Sequence, residues 1–323
     1  MKKIIVLTSG GDAPGMNAAI RAVVRTAHHF GIKVFGSRQG FQGLIDRELI
    51  PLEPDSVANC IQSGGTILKA GRCLAFLEKA VRAQCSQFLQ EQQIDGLVVI
   101  GGNGSFKGAA LLAAEGGGLK VIGIPGTIDN DIPNTEYTIG FDTARNTALN
   151  AIDKIRDTAS SHDRHFLVEV MGRSSGFLAL DVGLAGGAEF ILLPEFPVTI
   201  PEFAKAIQVP RRKKLSSIIV IAEDNEPGRT FKIAEQLQAA TGFQYRVCIL
   251  GHIQRGGSPT LLDRKVASGM GYLAVKGLLE GASNQMASMI KDQLSLQPMP
   301  DPDAGPRVLT DRDIIDLNTI LCA

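Results

Sequence analysis

Short runs of β-branched and other apolar residues that end in glycine-rich turns are the feature that most constrains how this chain folds. The runs cover residues 4–7, 97–100 and 121–124, and the turns that follow them contain Gly10-Gly11, Gly101-Gly102 and Pro125-Gly126. Apolar residues at helical spacing follow the first two turns. This repeated order of strand, glycine turn and helix predicts an α/β fold with a parallel sheet.

The same alternation continues along the chain. Further strands are predicted at 166–170, 190–193, 218–222 and 247–250, and helices at 17–29, 144–155 and 262–279. Because single hydrophobic cores stop growing near this size, a chain of 323 residues is expected to form two lobes. Residues 296–306 contain four prolines and are predicted to be a connector.

Charge and composition exclude several classes of function. Basic and acidic residues number 33 each, so no net field attracts nucleic acid or a membrane surface, and any anion site must be local. The apolar run at the start is too short for a signal peptide, and no stretch of about 18 apolar residues is present. The five cysteines show no C-x-x-C spacing, which favours reduced thiols and no zinc site. We therefore expect a soluble, cytoplasmic protein.

The first two glycine turns have the composition of phosphate-binding loops. Residues 9–17 read S-G-G-D-A-P-G-M-N, and residues 101–105 read G-G-N-G-S. Turn amides and helix N-termini at the carboxyl ends of parallel strands bind anions. Tight packing alone, with Asn17 as a helix N-cap, is the alternative. Neither a G-x-x-x-x-G-K-[ST] loop nor the protein-kinase H-R-D and D-F-G motifs occur, so another phosphate scaffold is required.

The third turn, residues 125–131, carries two carboxylates. Asp129 and Asp131 are two residues apart, so in an extended chain they point the same way. Beside phosphates, such a pair suits one general base and one group that organises a metal ion. A calcium loop is the alternative, but its twelve-residue pattern and final glutamate are missing.

Four motifs in a fixed order resemble those of bacterial-type ATP-dependent 6-phosphofructokinases, the phosphofructokinase A family. They are S-G-G-D-A-P-G-M-N, P-G-T-I-D-N-D, M-G-R-x-x-G and G-H-I-Q-R-G-G, and the resemblance spans residues 2–279. It implies a two-lobe, doubly wound, Rossmann-like parallel-sheet fold. Residues 1–140 plus about 254–305 would form the larger, ATP-binding lobe, and 141–253 plus about 306–323 the smaller lobe that binds fructose 6-phosphate.

The resemblance also implies a reaction. ATP would phosphorylate O1 of fructose 6-phosphate, a step of glycolysis that gives fructose 1,6-bisphosphate and ADP. Asp129 would be the general base, Asp131 would help to arrange Mg²⁺ indirectly, and Thr127 would contact the transferring group. Backbone amides at Gly11 and the guanidinium groups of Arg72 and Arg173 would stabilise the developing charge.

The donor site implied by the resemblance departs from the family in places. Its members are Gly11, Arg72, Cys73, Gly102, Asn103, Gly104 and Ser105. Asn103 replaces the usual aspartate beside magnesium, which predicts weaker metal binding. Cys73 and Leu77 replace aromatic and cationic contacts to adenine. Lys69 on the same loop is either a phosphate contact or a solvated lysine. Glycines at 104 and 126, where pyrophosphate-dependent relatives carry an acidic residue and a lysine, favour ATP.

The implied acceptor site uses a separate cationic pocket. Arg164, Arg246, His252 and Arg255 would bind the sugar phosphate, because guanidinium groups fork well onto phosphate. Glu223 would accept hydrogen bonds from sugar hydroxyls. The remaining implied contacts are Thr127, Asp129, Asp131, Met171, Gly172 and Arg173. In this family Arg164 and Arg246 reach a neighbouring subunit's site, which implies a homotetramer with shared active sites.

An effector site and two alternative functions complete the expectations. Arg21, Arg25, Arg156, Glu189, Arg212 and Lys214 match the family's ADP and phosphoenolpyruvate site between subunits, which implies allosteric control. Pro54 replaces another arginine there, and Arg21 with Arg25 could instead form only a solvated helix ridge. A pyrophosphate-dependent enzyme, or a catalytically silent regulatory subunit suggested by Asn103, are the alternative readings. The intact Asp129, Asp131 and Arg173 count against the silent subunit.

Overall fold

The computed structural model describes residues 1–115, 117–208, 216–224, 226–310 and 312–322. By its internal contacts the chain divides into two compact units. Unit 1 comprises Met1–Thr143 and Arg255–Arg307, and unit 2 comprises Ala144–Gln254 and Val308–Ala323. Both units are therefore assembled from two separate stretches of chain.

In chain order the strands and helices are β1 (Lys3–Ser9), α1 (Met16–His29), β2 (Lys33–Ser37), α2 (Phe41–Ile45), β3 (Leu49–Leu52), α3 (Lys79–Glu91), β4 (Gly96–Gly101), α4 (Asn103–Glu115), β5 (Lys120–Pro125), α5 (Phe141–Ser161), β6 (His165–Val170), α6 (Phe177–Ala185), β7 (Phe190–Leu192), α7 (Ile200–Gln208), β8 (Ser217–Ala222), α8 (Arg229–Thr241), β9 (Tyr245–Ile249), α9 (Leu261–Leu279), β10 (Gln285–Ile290), β11 (Gln293–Pro298) and α10 (Asp313–Leu321). Two 3₁₀ turns, Leu74–Leu77 and Gly251–Arg255, lie between them. Strands and helices alternate as the sequence predicts, which confirms the α/β class.

Unit 1 contains a seven-stranded sheet in the order β11-β10-β5-β4-β1-β2-β3. Its five inner strands run parallel, and the two edge strands β3 and β11 are antiparallel to their neighbours. One face, which includes Ile5 and Leu7 of β1, packs with buried residues of α2, α3 and α4. Because successive side chains alternate between faces, α1 and α9, which contact each other and strands β2 and β5, cover the other face. Helices on both faces explain why the inner strands are almost wholly apolar.

Unit 2 contains a four-stranded parallel sheet in the order β7-β8-β6-β9. Buried residues of β6, β8 and β9 pack with Phe203 of α7 and with Ile233 and Leu237 of α8. The predicted strands at 166–170, 190–193, 218–222 and 247–250 correspond to its four members, with ends displaced by one or two residues.

Two local details differ from the expectations: where the connector begins and which residue caps α1. Residues 296–298 of the predicted connector belong to β11, which pairs with β10 across the register from Gln285↔Pro298 to Ile290↔Gln293. The proline at the end of β11 is tolerated because this strand lies at the sheet edge. In addition, α1 is capped by Gly15 in a left-handed conformation, with φ of 106°, and not by Asn17.

Candidate active site

The three glycine turns of unit 1 lie side by side. They follow β1, β4 and β5, which are adjacent in the sheet, and the register pairs Ser9 with Gly101 and Gly101 with Pro125. Neighbouring strands are about 4.8 Å apart, so the turns form one continuous edge at the carboxyl ends of the strands. This edge is where open α/β sheets bind their ligands.

The first turn is held open by glycines and by a neighbouring loop. Gly10 has φ of 86°, and its N–H donates to the carbonyl of Gly71 at 3.0 Å. The buried Asn17 side chain accepts from the N–H of Ile67 at 2.8 Å and donates to the carbonyl of Ser63 at 3.1 Å. Asn17 therefore ties α1 to the 63–67 loop, a role that local sequence patterns do not reveal.

The second turn leads directly into α4, which begins at Asn103. A Cβ at Gly101 would lie 2.6 Å from the Ser9 carbonyl oxygen, so only glycine fits. Gly102 is half-buried, whereas a Cβ at Gly104 would meet nothing within 4 Å. Ser105 is buried against the turn and its N–H donates to the carbonyl of Gly102 at 2.9 Å. The exposed backbone of this turn is therefore concentrated at residues 102–104.

The third turn brings its carboxylates together by a different path from the predicted one. Asn130 has φ of 52°, so the chain from Asp129 to Asp131 is not extended. The N–H of Asp129 donates to Thr127 Oγ1 at 3.3 Å, and Asn130 Nδ2 donates to the carbonyl of Glu136 at 3.1 Å. The charge of Asp129 nevertheless raises the pKa of Asp131, so the two carboxyl groups still interact electrostatically.

Burial controls the ionisation of both carboxyl groups. It raises the pKa of Asp129, while the Arg255 guanidinium and the Thr127 hydroxyl act in the opposite direction. Burial and then the charge of Asp129 raise the pKa of Asp131 to about 6, against hydrogen bonds from its own backbone and from the Asn103 side chain. A carboxylate with a raised pKa is a stronger base, so Asp129 is suited to accept a proton.

Arg255 is the cation beside this edge. Its Nη1 donates to the carbonyl of Asp12 at 3.2 Å, and a Cβ at Gly11 would lie 2.6 Å from the same nitrogen. Arg255 belongs to unit 1, together with Gly11 and Asp129. The structure thus places this arginine, which the sequence assigns to the sugar phosphate, against the first glycine turn.

The 69–77 loop holds the remaining donor candidates. Lys69 and Arg72 are exposed, and the Cys73 thiol lies 3.4 Å from Gln42 Oε1. Leu77 is 56% exposed. Phe41 stacks on Phe76 of this loop, with ring centroids 4.1 Å apart.

Arg82 is a buried anchor of this loop that sequence reasoning missed. Its Nη1 donates to the carbonyls of Phe76 at 3.0 Å and Leu77 at 2.6 Å, and its Nε and Nη2 form a forked pair with Glu115. Glu115 is 33 residues away in sequence, so no local pattern predicts the pair.

In unit 2, several acceptor candidates follow the carboxyl ends of strands. Met171 and Gly172 follow β6, Glu223 follows β8, and His252 follows β9. The N–H of Met171 donates to Gln254 Oε1 at 2.9 Å, and the N–H of Glu223 donates to the carbonyl of Val170 at 2.8 Å. These bonds fix two of the candidates on the sheet edge.

Arg173 and Gly172 form a strained turn next to this edge. Gly172 has φ of 140°, and a Cβ there would lie 2.5 Å from the Ser175 carbonyl oxygen. Arg173 has φ of 53° and an exposed side chain. Left-handed torsions at an arginine are uncommon and cluster at functional turns.

Within unit 2, the structure separates three of the cations that the resemblance assigns to the sugar phosphate. Arg164 precedes β6, and Arg246 lies near the start of β9, opposite Phe166 of the parallel β6. His252 follows the other end of β9. A strand of six residues such as β6 is about 16 Å long between its end residues. Within one chain, Arg164 and Arg246 therefore lie at the amino edge of the small sheet, away from His252.

Two of the effector candidates, Arg156 and Glu189, are in contact within unit 2. Arg156 Nη1 lies 3.5 Å from Glu189 Oε1, and its Nη2 donates to the carbonyls of Gly186 and Gly187. Arg21 and Arg25 lie on α1 of unit 1, where both lower the pKa of the Cys60 thiol against the larger effect of burial. The remaining two candidates, Arg212 and Lys214, lie outside the described residues.

Two further properties bear on ligands. Among the described residues, no cluster of three or more His, Cys, Asp or Glu side chains could hold a metal ion by itself. Asp131 and the amide of Asn103 nevertheless fit Mg²⁺, which proteins commonly bind through one or two carboxylates plus substrate phosphates. No helix within the described part of the chain has the length and apolar character needed to span a bilayer.

Adjacent glycine turns, a buried basic carboxylate and a neighbouring guanidinium define a site for handling phosphate groups. The chain belongs to the phosphofructokinase family, whose sequence model matches residues 3–278. This match confirms the resemblance that the four motifs predict.

Relatives agree with this assignment. The chain is 57% identical over 323 residues to the ATP-dependent 6-phosphofructokinase of Coxiella burnetii, with 100% of this chain and 99% of the relative covered. It is 53% identical over 300 residues to ATP-dependent 6-phosphofructokinase 1 of Thermus thermophilus, with 93% of each covered.

Solved structures share the fold. Phosphofructokinase from Saccharomyces cerevisiae superposes with a TM-score of 0.86 at 36% identity, covering 93% of this chain and 45% of the yeast chain. A pyrophosphate-dependent phosphofructokinase from Marinobacter aquaeolei gives a TM-score of 0.84 at 24% identity, covering 100% of this chain and 92% of that one. The second likeness concerns the fold alone.

Proposed function

We propose that this chain is an ATP-dependent 6-phosphofructokinase, which transfers the γ-phosphoryl group of ATP to O1 of fructose 6-phosphate and so catalyses a step of glycolysis. The observation that carries the proposal is the buried carboxylate of Asp129 beside the glycine turns that follow β1, β4 and β5. Relatives above 50% identity that are named as ATP-dependent kinases support it.

Asp129 acts as the general base. As O1 attacks the γ-phosphorus, the proton of that hydroxyl moves to the carboxylate of Asp129, and the bond from phosphorus to the β,γ-bridging oxygen breaks. Burial favours this transfer because it raises the pKa of Asp129. The Arg255 guanidinium acts in the opposite direction on that pKa and so favours the ionised form.

The glycine turns bind the donor. Backbone N–H groups at Gly11, Gly102 and Gly104 have no side chain beside them, and Arg72 and Arg173 are exposed cations. Phosphoryl transfer needs in-line positioning and neutralisation of charge on the equatorial oxygens more than covalent help. When Mg²⁺ is bound, it would be held mainly by the donor phosphates, with Asn103 beside it and Asp131 arranging it indirectly, and it would neutralise charge on the donor.

Two glycines support ATP as the donor. A Cβ at Gly126 would lie 3.0 Å from Met16 Cε and 3.1 Å from Ile100 Cγ2, so a larger residue there requires repacking. The space at Gly104 is open and leaves room for the α-phosphate. A pyrophosphate-dependent enzyme is disfavoured because it would use side chains at both positions.

The placement of the candidate sugar-phosphate ligands supports an active site shared between subunits. His252, Glu223 and Met171 lie at the carboxyl edge of the small sheet, while Arg164 and Arg246 lie at its amino edge. We propose that the two arginines serve a neighbouring subunit, as in the family's homotetramer, and that Arg156 with Glu189 forms part of an effector site. We also propose that the enzyme works in the cytoplasm, where glycolysis takes place.

A coupled assay with ATP, Mg²⁺ and fructose 6-phosphate tests the proposal, with pyrophosphate replacing ATP in a parallel reaction. We expect turnover with ATP and little with pyrophosphate. Asp129→Ala should lower kcat by about 10²- to 10⁴-fold, whereas Asp55→Ala, at an exposed carboxylate, should not change it. Turnover near the wild-type rate in Asp129→Ala would refute the role of the base, and no turnover in the wild type would favour a silent subunit.

A further inference from the structure

Asp263, in the first turn of α9, is a buried carboxylate with four hydrogen-bond donors. Its Oδ1 accepts from Tyr137 Oη at 2.8 Å and from the N–H of Gly140 at 2.8 Å. Its Oδ2 accepts from the N–H of Thr143 at 2.8 Å and from the Thr143 hydroxyl. The side chain is 0% exposed. All four donors come from Tyr137, Gly140 and Thr143, so this one carboxylate holds that segment at three residues.

Residues 135–143, which we term the brace segment, are bonded in turn to the third glycine turn. The N–H of Ile139 donates to the carbonyl of Pro125 at 2.8 Å, and Thr138 Oγ1 donates to the carbonyl of Thr127 at 2.7 Å. On the far side of the base, Asn130 Nδ2 donates to the carbonyl of Glu136. The brace segment therefore holds the backbone on both sides of Asp129.

The brace segment also packs tightly against the first glycine turn. Gly140 has φ of 102°, and a Cβ there would lie 2.6 Å from Ala13 Cβ. A Cβ at Gly15 would lie 2.7 Å from Ile139 Cγ2. A displacement of the brace segment by a few tenths of an ångström would thus disturb both the turn beside the donor and the turn that carries the base.

We propose that Asp263 is a positioning residue for Asp129: its carboxylate holds the brace segment, and the brace segment sets where the base lies relative to the first turn. The inference rests on the proposed function, because it assigns an indirect role in that reaction. Asp263 does not itself reach the reacting atoms, since every one of its oxygen contacts named above goes to the brace segment.

Asp263 also stabilises its own helix, and the test must separate the two roles. The Thr260 hydroxyl caps α9 by accepting from the N–H of Asp263 at 3.3 Å, and a carboxylate near a helix N-terminus is favourable. Loss of helix stability alone would lower the melting temperature. It would leave the turnover of the folded enzyme unchanged.

Asp263→Asn is the informative variant because its amide matches the carboxylate in shape. An asparagine has one acceptor oxygen, and its NH₂ group takes the place of the other. In one orientation the NH₂ faces the N–H of Gly140, and in the other it faces the N–H of Thr143. The hydroxyls of Tyr137 and Thr143 can rotate to accept, but a backbone N–H cannot, so the brace segment must shift.

The expected result is a split between the kinetic constants. In an assay well below the melting temperature, kcat of Asp263→Asn should fall about 10- to 100-fold, because small misplacements of a catalytic group are costly. KM for fructose 6-phosphate should change less than about twofold, since the proposed sugar ligands His252, Glu223 and Met171 follow strands of the small sheet and not the brace segment. Val266→Ala, which empties a buried position on the same helix outside this network, should lower the melting temperature and leave kcat unchanged.

Each outcome decides the matter. An unchanged kcat in Asp263→Asn, or a rise in KM alone, overturns the proposal. If that variant does not fold, Tyr137→Phe is the second test, because it removes one donor to Asp263 and keeps both backbone hydrogen bonds. A loss of kcat of about threefold without a change in KM supports the proposal. An unchanged kcat overturns it. A wild type without turnover would refute the proposed function instead, and the parallel wild-type assay shows which of the two has failed.

Discussion

Replacing Asp131 by asparagine should make the folded protein more stable at pH 8 and less active. Burial, and then the charge of Asp129, raise the pKa of Asp131 from its ordinary value of 3.8 to about 6. The folded protein therefore holds this proton more tightly than the unfolded chain does. Ionising Asp131 costs stability that a neutral amide would keep.

The size and pH range of the effect follow from the two pKa values. A tenfold change in an ionisation constant is worth about 1.4 kcal/mol, so the rise from 3.8 to about 6 corresponds to about 3 kcal/mol. Because the folded pKa is raised, the penalty is nearly absent below about pH 4 and grows between pH 4 and 6. It is complete above pH 6. The variant should thus gain up to about 3 kcal/mol at pH 8.

Urea unfolding of the wild type and Asp131→Asn at pH 4 and pH 8 measures this effect. Asp55→Asn is the control, since Asp55 is exposed. We expect a gain in the free energy of unfolding at pH 8 that shrinks at pH 4, no gain in the control, and a higher requirement for Mg²⁺ in the activity assay. Equal unfolding free energies of wild type and variant at pH 8 would refute the argument that Asp131 is ionised at a cost.

Three further predictions follow from other contacts. Gly126→Ala should lower the free energy of unfolding by about 1–2 kcal/mol, because the added methyl group overpacks its surroundings. Gly104→Ala adds a methyl group in open space and should change the free energy of unfolding by less than about 0.5 kcal/mol. Equal melting temperatures of the two variants would contradict this prediction. Asn103→Asp should lower the concentration of Mg²⁺ that gives half-maximal activity, because it adds a charge beside Asp131, and a titration that matches the wild type would count against it. Arg82→Met should lower the free energy of unfolding in urea by about 2–3 kcal/mol, because it leaves a carboxylate and two carbonyls without their guanidinium. Arg82→Lys should recover part of that loss. An unaltered urea midpoint in Arg82→Met would disprove that Arg82 stabilises the loop.

The parts of the fold that sequence predicts are those with strong local periodicity. The apolar strands before the glycine turns and the long helix α9 are evident in the sequence. The hairpin of β10 and β11 is not, because its turn residues Lys291 and Asp292 adopt φ of 49° and 60° without the usual glycine or asparagine signal. Its strands also mix polar and apolar residues, so neither period is clear.

The candidate site likewise has parts that the sequence predicts and parts that it does not. The order of the motifs marks Asp129 and the three turns, because each follows a predicted strand. Spacing alone gives the wrong geometry for the two carboxylates, since the left-handed torsion of Asn130 redirects the chain. The contact of Arg255 with Asp12 joins residues 243 positions apart, and the pairing of Arg82 with Glu115 depends on the packing of α3 on α4. Such long-range partners leave no periodic trace.

The placement of β10 has a consequence for biosynthesis. The outer edge of β5 is completed only by β10, whose first residue is Gln285, although β5 itself ends at Pro125. At about 5–20 residues per second, a ribosome needs roughly 8–30 s to make the chain between them. During that interval the outer edge of β5, an apolar strand, has no partner in the nascent sheet and is open to other chains. We therefore expect the yield of folded enzyme to depend on chaperones and on the rate of translation mainly before residue 290 has been added. After that point β10 covers the edge, and both factors should matter less.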